Sequence, residues 1–364
     1  MSERDTSHMM QAISLAENGW GRVHPNPLVG AVVVRNDDVA GMGWHAEWGG
    51  PHAEVVALRQ AGARARGADL YVTLEPCARH GKTPPCTDAI LAAGIRRVVF
   101  AAEDVSPAAR GGAERLRAAG VEVVAGIERE SARAQNRAFF HLLERGAPFL
   151  ALKLATSLDG RISRNAAAPT RLTGPAAQED VLRLRAGFDA IVVGSGTVVA
   201  DDPLLTARGP VVPRVPPARV VFDSRAVTPP GSRMLADGAA PVWIVAATGA
   251  DDRRLAALRA AGARTSMVAP SPDGLDLGAA LAALRDGGAG TILCEGGGRL
   301  AASLIAADVV ERLYLYVAPL WLGQEAVPAF PLGTAPAGAW RTAETRRLGD
   351  DARIVFDRVR DPLA

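Results

Sequence analysis

Four side chains in the first quarter of the chain have types and spacing that specify a chemistry. His52 and Glu54 stand in "PHAEVVAL", Cys77 ends "TLEPC", and Cys86 follows two prolines in "TPPCTDA". One imidazole and two thiolates make three protein ligands for a tetrahedral zinc ion and leave its fourth position to water. That is the arrangement of a catalytic site, because a structural site would be closed by a fourth side chain. Zinc so held lowers the pKa of its water towards about 7, and Glu54 is the natural proton carrier. A His-x-Glu segment followed by Pro-Cys and a second cysteine is the pattern of zinc deaminases acting on bases, in which a non-ligand glutamate shuttles protons. Cys77 and Cys86 are parted by eight residues, where a compact metal hairpin would use two.

Bringing these groups together takes one strand end and two helix starts. Residues two apart on a regular helix point to nearly opposite faces, so His52 and Glu54 can share a site only if His52 lies at the frayed first residue. A helix starting at Cys86 offers N–H groups and a positive dipole end, which are expected to favour the Cys86 thiolate over the thiol. In the first part, "LVGAVVVR", "DLYVTLEP", "RRVVFAA" and "VEVVAGI" read as strands. Helices are expected at about 7–18, 52–62, 86–93 and 112–119, each ended or followed by Gly. A further helix over "SARAQNRAFFHLLERG" leads to Ala147-Pro148, where a fresh strand begins and the domain boundary is placed.

The second part repeats the alternation. "APFLALKLATSLDG", "DAIVVGSGT", "ARVVFDS", "PVWIVAA", "ARTSMVA", "GTILCEGGG" and "RLYLYVAPL" read as strands, with helices near 175–187, 251–261, 276–286 and 299–307. Helices alternating with β-branched runs define an α/β protein whose sheets are covered by helices. Gly194 and Gly196 follow one strand, and three glycines part a strand from a helix in "ILCEGGGRL"; such turns let backbone N–H groups approach phosphates. Neither is a G-x-G-x-x-G fingerprint with a downstream acid, so a Rossmann domain is not indicated.

At 364 residues with 48% apolar content and a net charge of +2, the chain reads as a soluble protein of two domains. It contains no apolar run of the ~18 residues a membrane helix needs, and its start lacks the layout of a signal peptide, so a cytoplasmic location is expected. Three cysteines argue against a disulfide framework. Arginines interleaved with acids read as solvated helix faces, which points to small-molecule partners and away from nucleic acid or membrane.

"HPNPLVGAVVV", "PHAEVVAL", "YVTLEPCARHGKTPPCTDAI", "NRAFF", "KLATSLDGR", "GSGTVVADDPLLTAR", "DSR" and "EGGGRL" resemble, in that order, segments of the bifunctional riboflavin-biosynthesis deaminase/reductase family. The resemblance implies a cytidine-deaminase-like domain over residues 1–147 and a dihydrofolate-reductase-like domain over 148–364. The first would deaminate 2,5-diamino-6-(5-phosphoribosylamino)pyrimidin-4(3H)-one; the second would use NADPH to reduce the ribosyl group of 5-amino-6-(5-phosphoribosylamino)uracil to ribityl. It carries one zinc per chain onto His52, Cys77 and Cys86, the acid/base role onto Glu54, and substrate holding onto Asn26. In the long loop His80, Lys82 and Thr83 are expected beside the ribose phosphate. NADPH contacts fall on Ala155, Thr197, Asp201, Ser224 and the run Gly297, Gly298, Arg299, Leu300, Ala301, Ala302 and Ser303. Reductase substrate contacts fall on Arg185, Leu205, Arg208 and Glu295. A homo-oligomer, dimer or tetramer, is expected.

The chain departs from the family where a Ser and a Trp usually follow "SLDGR": Pro169 and Arg171 stand there. The usual D-P-N-P stretch is altered to "DVSPAARGG", and the usual Lys after "AP" is replaced, "APLWLG" carrying Leu320 and Trp321. Arg171 offers a cation for the 2′-phosphate of NADPH. The same departures frame a second expectation, an active deaminase whose C-terminal domain has lost reduction and serves binding or regulation.

Overall fold

The three central strands of the first sheet are buried on both faces, which is why "GAVVVR" reads as a continuous apolar run. Along β1 (Gly30–Arg35), Ala31 and Val33 enter one core while Val32 and Val34 enter the other. The remaining strands are β2 (Asp38–Trp44), β3 (Asp69–Leu74), β4 (Arg97–Ala102) and β5 (Glu122–Ala125), in the order β2-β1-β3-β4-β5. β1 is antiparallel to β2 and β3, whereas β3, β4 and β5 run parallel. The helices are α1 (Glu3–Ala16), α2 (Ala53–Ala61), α3 (Cys86–Ala93), α4 (Gly112–Ala118), α5 (Arg129–Gln135) and α6 (Arg137–Arg145). α2, α3 and α4 cover the Val33 face, and α1, α5 and α6 the Val32 face.

In this computed structural model, residues 3–107, 109–165, 170–272, 274–330 and 339–360 are described. Pro169 lies outside them. The chain divides into two compact units, Met1–Gly146 and Ala147–Ala364. The second holds a nine-stranded sheet in the order Arg264–Val268, Val242–Ala247, Ala218–Phe222, Ala190–Gly194, Thr291–Cys294, Phe149–Thr156, Arg312–Val317, Asp351–Arg358 and Trp340–Leu348. Its first seven strands pair in parallel, and the last two form an antiparallel hairpin on the edge. One core gathers Leu150, Leu152, Val192, Val220, Val245 and Ile292 under helices Leu277–Asp286 and Gly298–Ala306.

Three departures from the sequence reading have physical causes. The helix expected across "SARAQNRAFFHLLERG" is two helices joined at Asn136 (φ −102, ψ 25). There the buried Asn136 amide accepts from Leu28 N–H (2.7 Å) and donates to the Leu28 carbonyl (2.8 Å). Besides Asp351–Arg358, the strands Trp340–Leu348 and β2 were not read, the first of these two because it is charged and exposed along nearly its whole length. The second, "DVAGMGW", is interrupted by Gly41 and Gly43, and those glycines are the reason α2 can lie directly on it. A Cβ at Gly43 would sit 2.5 Å from the Ala53 carbonyl oxygen and 2.6 Å from Ala57 N.

Overpacking of that kind costs about 1–3 kcal/mol. Gly43→Ala is therefore expected to lower the melting temperature and, because Ala53 adjoins His52, to reduce zinc content. Unchanged melting with full zinc would show that α2 does not depend on this contact.

Candidate functional site

The zinc-type cluster lies where β3 ends and α2 and α3 begin. His52 is the residue before α2, in extended backbone (φ −72, ψ 160), so its ring leaves the helix direction and turns towards the face Glu54 occupies. Glu54 is 3% exposed. His52 Nδ1 lies 3.1 Å from Cys86 Sγ and 3.6 Å from Cys77 Sγ, and one donor atom from each residue falls within 4.8 Å of the others. A tetrahedral zinc with its usual Zn–N and Zn–S bonds needs N···S separations of about 3.6 Å, so this donor set fits one zinc ion.

The helix start at Cys86 acts on the other sulfur from the one expected. The Cys86 backbone N–H donates to Cys77 Sγ (3.3 Å), so the first amide of α3 supports the Cys77 thiolate. The hydrogen bond from the Cys86 thiol, with help from His52, pulls the Cys77 thiol well below its ordinary range. Donation to Cys77 together with burial pushes the Cys86 thiol up. Metal uptake, which requires both thiolates, must displace the Cys86 proton. The hydrogen bond with Cys77 raises the His52 imidazole, and burial raises the Glu54 carboxyl.

Asn26 meets a residue that the sequence reading did not name. Its Nδ2 lies 3.1 Å from His45 Nε2, and His45 Nδ1 lies 3.1 Å from the Pro51 carbonyl. A carbonyl only accepts, so Nδ1 carries the proton, Nε2 accepts from the Asn26 amide, and Asn26 Oδ1 is left to face elsewhere. His45 is buried and packs edge-on to His52 at 5.4 Å. A lone histidine in "GWHAEW" gave no signal of this. Of the long-loop residues, Thr83 Oγ1 comes within 3.4 Å of His52 Nε2, Lys82 Nζ sits 3.1 Å above the Trp48 ring, and His80 is exposed. Behind Cys77, Glu75 accepts from the backbone N–H groups of Asp104 (3.3 Å), Gly111 (3.2 Å) and Ala113 (2.9 Å), which fastens the next strand's loop to the site.

In the second unit Arg185 and Glu295 form a two-pronged ion pair with side chains 13% and 6% exposed. Arg185 Nε donates to Glu295 Oε1 (2.6 Å), Nη2 to Oε2 (2.8 Å), and Nη1 to the Thr206 carbonyl (2.9 Å). The guanidinium fork is thus spent within the protein, whereas Arg208 is exposed and donates to Thr206 Oγ1 (2.8 Å). Burial would raise the Glu295 carboxyl, but Arg185 overrides it and holds it below its usual range. Lys153, whose amine burial depresses, faces the same pair. It was also missed, although a single cation inside "FLALKLAT" is the kind of signal that could have found it.

Gly297 (φ +70) turns the chain into helix Gly298–Ala306, which carries Arg299 through Ser303. A Cβ at Gly298 would lie 2.9 Å from the carbonyls of Pro328 and Ala329, and Thr197 Oγ1 lies against Gly296 and Gly297. This glycine-led helix start suits the phosphates of a nicotinamide dinucleotide. Ala155 lies on the strand Phe149–Thr156, and Ser224 follows Ala218–Phe222. Asp201 ends helix Ser195–Asp201, exposed. Arg171 is exposed and donates to Gln178 on helix Pro175–Arg185.

Residues 2–102 match the zinc-binding region of cytidine and deoxycytidylate deaminases, and residues 148–354 match the RibD C-terminal domain. The riboflavin biosynthesis protein RibD of Bacillus amyloliquefaciens is 40% identical over 327 residues, covering 90% of this chain and 87% of that one. Acinetobacter baumannii RibD, form 1, is similar in structure with a TM-score of 0.82 at 34% identity, covering 98% of this chain and 99% of that one. A Thermotoga maritima structure, titled a diaminohydroxyphosphoribosylaminopyrimidine deaminase/5-amino-6-(5-phosphoribosylamino)uracil reductase, has a TM-score of 0.81 at 29% identity, with 98% and 99% covered. Fold and site define a two-domain α/β enzyme, a zinc-dependent deaminase of cytidine-deaminase-like fold joined to an NADPH-dependent reductase of dihydrofolate-reductase-like fold. The chain belongs to the RibD family of bifunctional riboflavin-biosynthesis enzymes. The alternative of a C-terminal domain without reductase activity finds no support in these likenesses. Among the described residues no helix is long and apolar enough to cross a membrane.

Asp104 gives a pH test of the site's surroundings. Burial, with Glu75 adding to it, pushes its carboxyl up to about 6. The folded chain then holds this proton more tightly than the unfolded chain, so the stability Asp104 contributes is present in acid and lost as pH rises from about 4 through about 6. Asp104→Asn is expected to gain about 1–2 kcal/mol at pH 8 and nothing below about pH 4, by denaturant unfolding of metal-free protein. A gain that persists in acid would contradict this.

Proposed function

We propose that residues 1–147 hydrolytically deaminate 2,5-diamino-6-(5-phosphoribosylamino)pyrimidin-4(3H)-one and that residues 148–364 reduce 5-amino-6-(5-phosphoribosylamino)uracil to the ribitylamino product. The observation that carries the reading is the meeting of His52, Cys77 and Cys86 with the buried carboxyl of Glu54. Zinc, when bound, supplies Lewis acidity to the first reaction, and NADPH supplies reducing equivalents to the second.

His52, Cys77 and Cys86 hold the metal. Glu54 takes a proton from the attacking water and returns it to the departing amino group, which leaves as ammonia; a carboxyl raised by burial suits both roles near neutral pH. Asn26, oriented by His45, presents Oδ1 to an N–H of the pyrimidine. Thr83, Lys82 and His80 line the route of the ribose phosphate. In the second unit the turn and helix over 297–303 hold the cofactor's pyrophosphate, with Ala155, Thr197, Asp201 and Ser224 along the rest and Arg171 at the 2′-phosphate. The Arg185–Glu295 pair and Leu205 orient the sugar, and Arg208 takes the substrate phosphate. The enzyme acts in the cytoplasm on small molecules and does not use nucleic acid. It works as a homo-oligomer, a dimer or tetramer.

Zinc-replete protein should release ammonia from the diaminopyrimidine without NADPH, then oxidise NADPH as the deaminated product is reduced. Glu54→Gln should keep its zinc and lose about 10²–10⁴ in deaminase kcat, while reduction of supplied aminouracil continues. A fully active Glu54→Gln enzyme, or no NADPH oxidation by the parent enzyme, would refute the assignments.

A further inference from the structure

Leu205 adopts φ +51 with its side chain 3% exposed. A branched residue in the left-handed region costs of order 1–3 kcal/mol and persists only where the surroundings over-determine it. Here the carbonyls on either side of Leu205 are gripped by two different guanidinium groups. Arg185, itself clamped to Glu295, takes the Thr206 carbonyl at 2.9 Å, and Arg219 takes the Leu204 carbonyl at 3.4 Å. Asp202 fixes the start of the segment by accepting from Arg233 N–H at 2.8 Å.

Arg219 belongs to the strand Ala218–Phe222 and is 0% exposed. Its Nη1 also donates to Asp237 Oδ1 (2.6 Å), and its Nη2 donates to the Ala240 carbonyl. One planar fork therefore ties together segment 202–208, the turn at 237–240 and the sheet. A buried guanidinium is costly to desolvate, and a hydrophobic side chain would fill this space at lower cost. What only arginine supplies is simultaneous reach to three acceptors.

We propose that Arg219 is a positioning residue of the reductase: through the Leu204 carbonyl it fixes the left-handed turn at Leu205 and so the placement of Arg208. Arg208 Nη1 bonds Thr206 Oγ1, one residue beyond that turn, so a shift at Leu205 is carried to the arginine. Arg219 itself is walled off from substrate and cofactor. The inference rests on the assignment of Leu205 and Arg208 to the reductase substrate.

Arg219→Lys keeps the charge beside Asp237 and cannot hold Leu204 and Ala240 together. It is expected to raise the KM for 5-amino-6-(5-phosphoribosylamino)uracil about tenfold, with kcat within about threefold and the KM for NADPH unchanged. A parallel fall in kcat, NADPH affinity and melting temperature would mean a merely structural role and overturn the proposal. Leu205→Gly removes the cost of the positive φ. In that background Arg219→Lys is expected to add less than about threefold, and full additivity overturns the link through Leu205. If Arg219→Lys does not fold, Arg219→Gln removes the buried charge and the reach to the Leu204 carbonyl and should raise the same KM about threefold or more; no change there also overturns it. Arg208→Ala separates the two layers. An unchanged substrate KM in Arg208→Ala refutes the loop's assignment to substrate, whereas a raised KM there with an unchanged KM in Arg219→Lys refutes the positioning role alone.

Discussion

The first unit depends on keeping three donor atoms together that come from three different elements. His52 arrives from the residue before a helix, Cys77 from beyond a strand end, and Cys86 from a helix start, and their donor atoms lie within 4.8 Å of one another. Without a cation this is an unfavourable gathering. Burial raises both the Glu54 carboxyl and the Cys86 thiol, and Cys77 becomes ionisable chiefly because Cys86 donates to it. A dication reverses the balance, because both sulfurs then gain by ionising and the site's charges compensate one another. The rest of the unit serves that gathering: Gly41 and Gly43 let α2 approach the sheet, Glu75 anchors the loop behind Cys77, and Asn136 pins the segment that follows Asn26.

The second unit meets the same difficulty, charges away from water, by pairing them in advance. Arg185 and Glu295 neutralise each other through two short hydrogen bonds, and Lys153 is held beside them. Removing one partner of such a pair costs roughly 3–5 kcal/mol, since the other charge is left buried. Rigid charges of this kind need little reorganisation when a substrate arrives, which is where a reductase gains from its protein; the reducing chemistry is the cofactor's. The glycine-led helix start over Gly297 and Gly298 follows two residues after Glu295.

The parts of the molecule legible in the sequence were those where one residue type does one job. The His-x-Glu and Pro-Cys spacing, the apolar strands buried on both faces, and the glycines that end helices belong to this group. What escaped were residues whose role is set by a distant neighbour. β2 looked unlike a strand because its glycines answer to α2 packed on it. The helix break at Asn136 answers to Leu28, a partner far away in sequence. His45 and Lys153 are ordinary single residues until folding sets one between Asn26 and Pro51 and the other beside Glu295. The reversal at the cysteines has the same origin: the helix start at Cys86 was visible, but the direction of its first N–H, towards Cys77, was not.

Whether these three donors form an open zinc site can be read from X-ray absorption at the zinc edge of the metal-loaded full-length enzyme. An open site gives one zinc per chain with two sulfur neighbours at about 2.3 Å and two lighter neighbours at about 2.0–2.1 Å, one of them exchangeable with solvent. Loss of one sulfur shell in Cys77→Ser would agree with it. A closed set of four protein ligands, or a spectrum unchanged by substitution of Cys77, would contradict it.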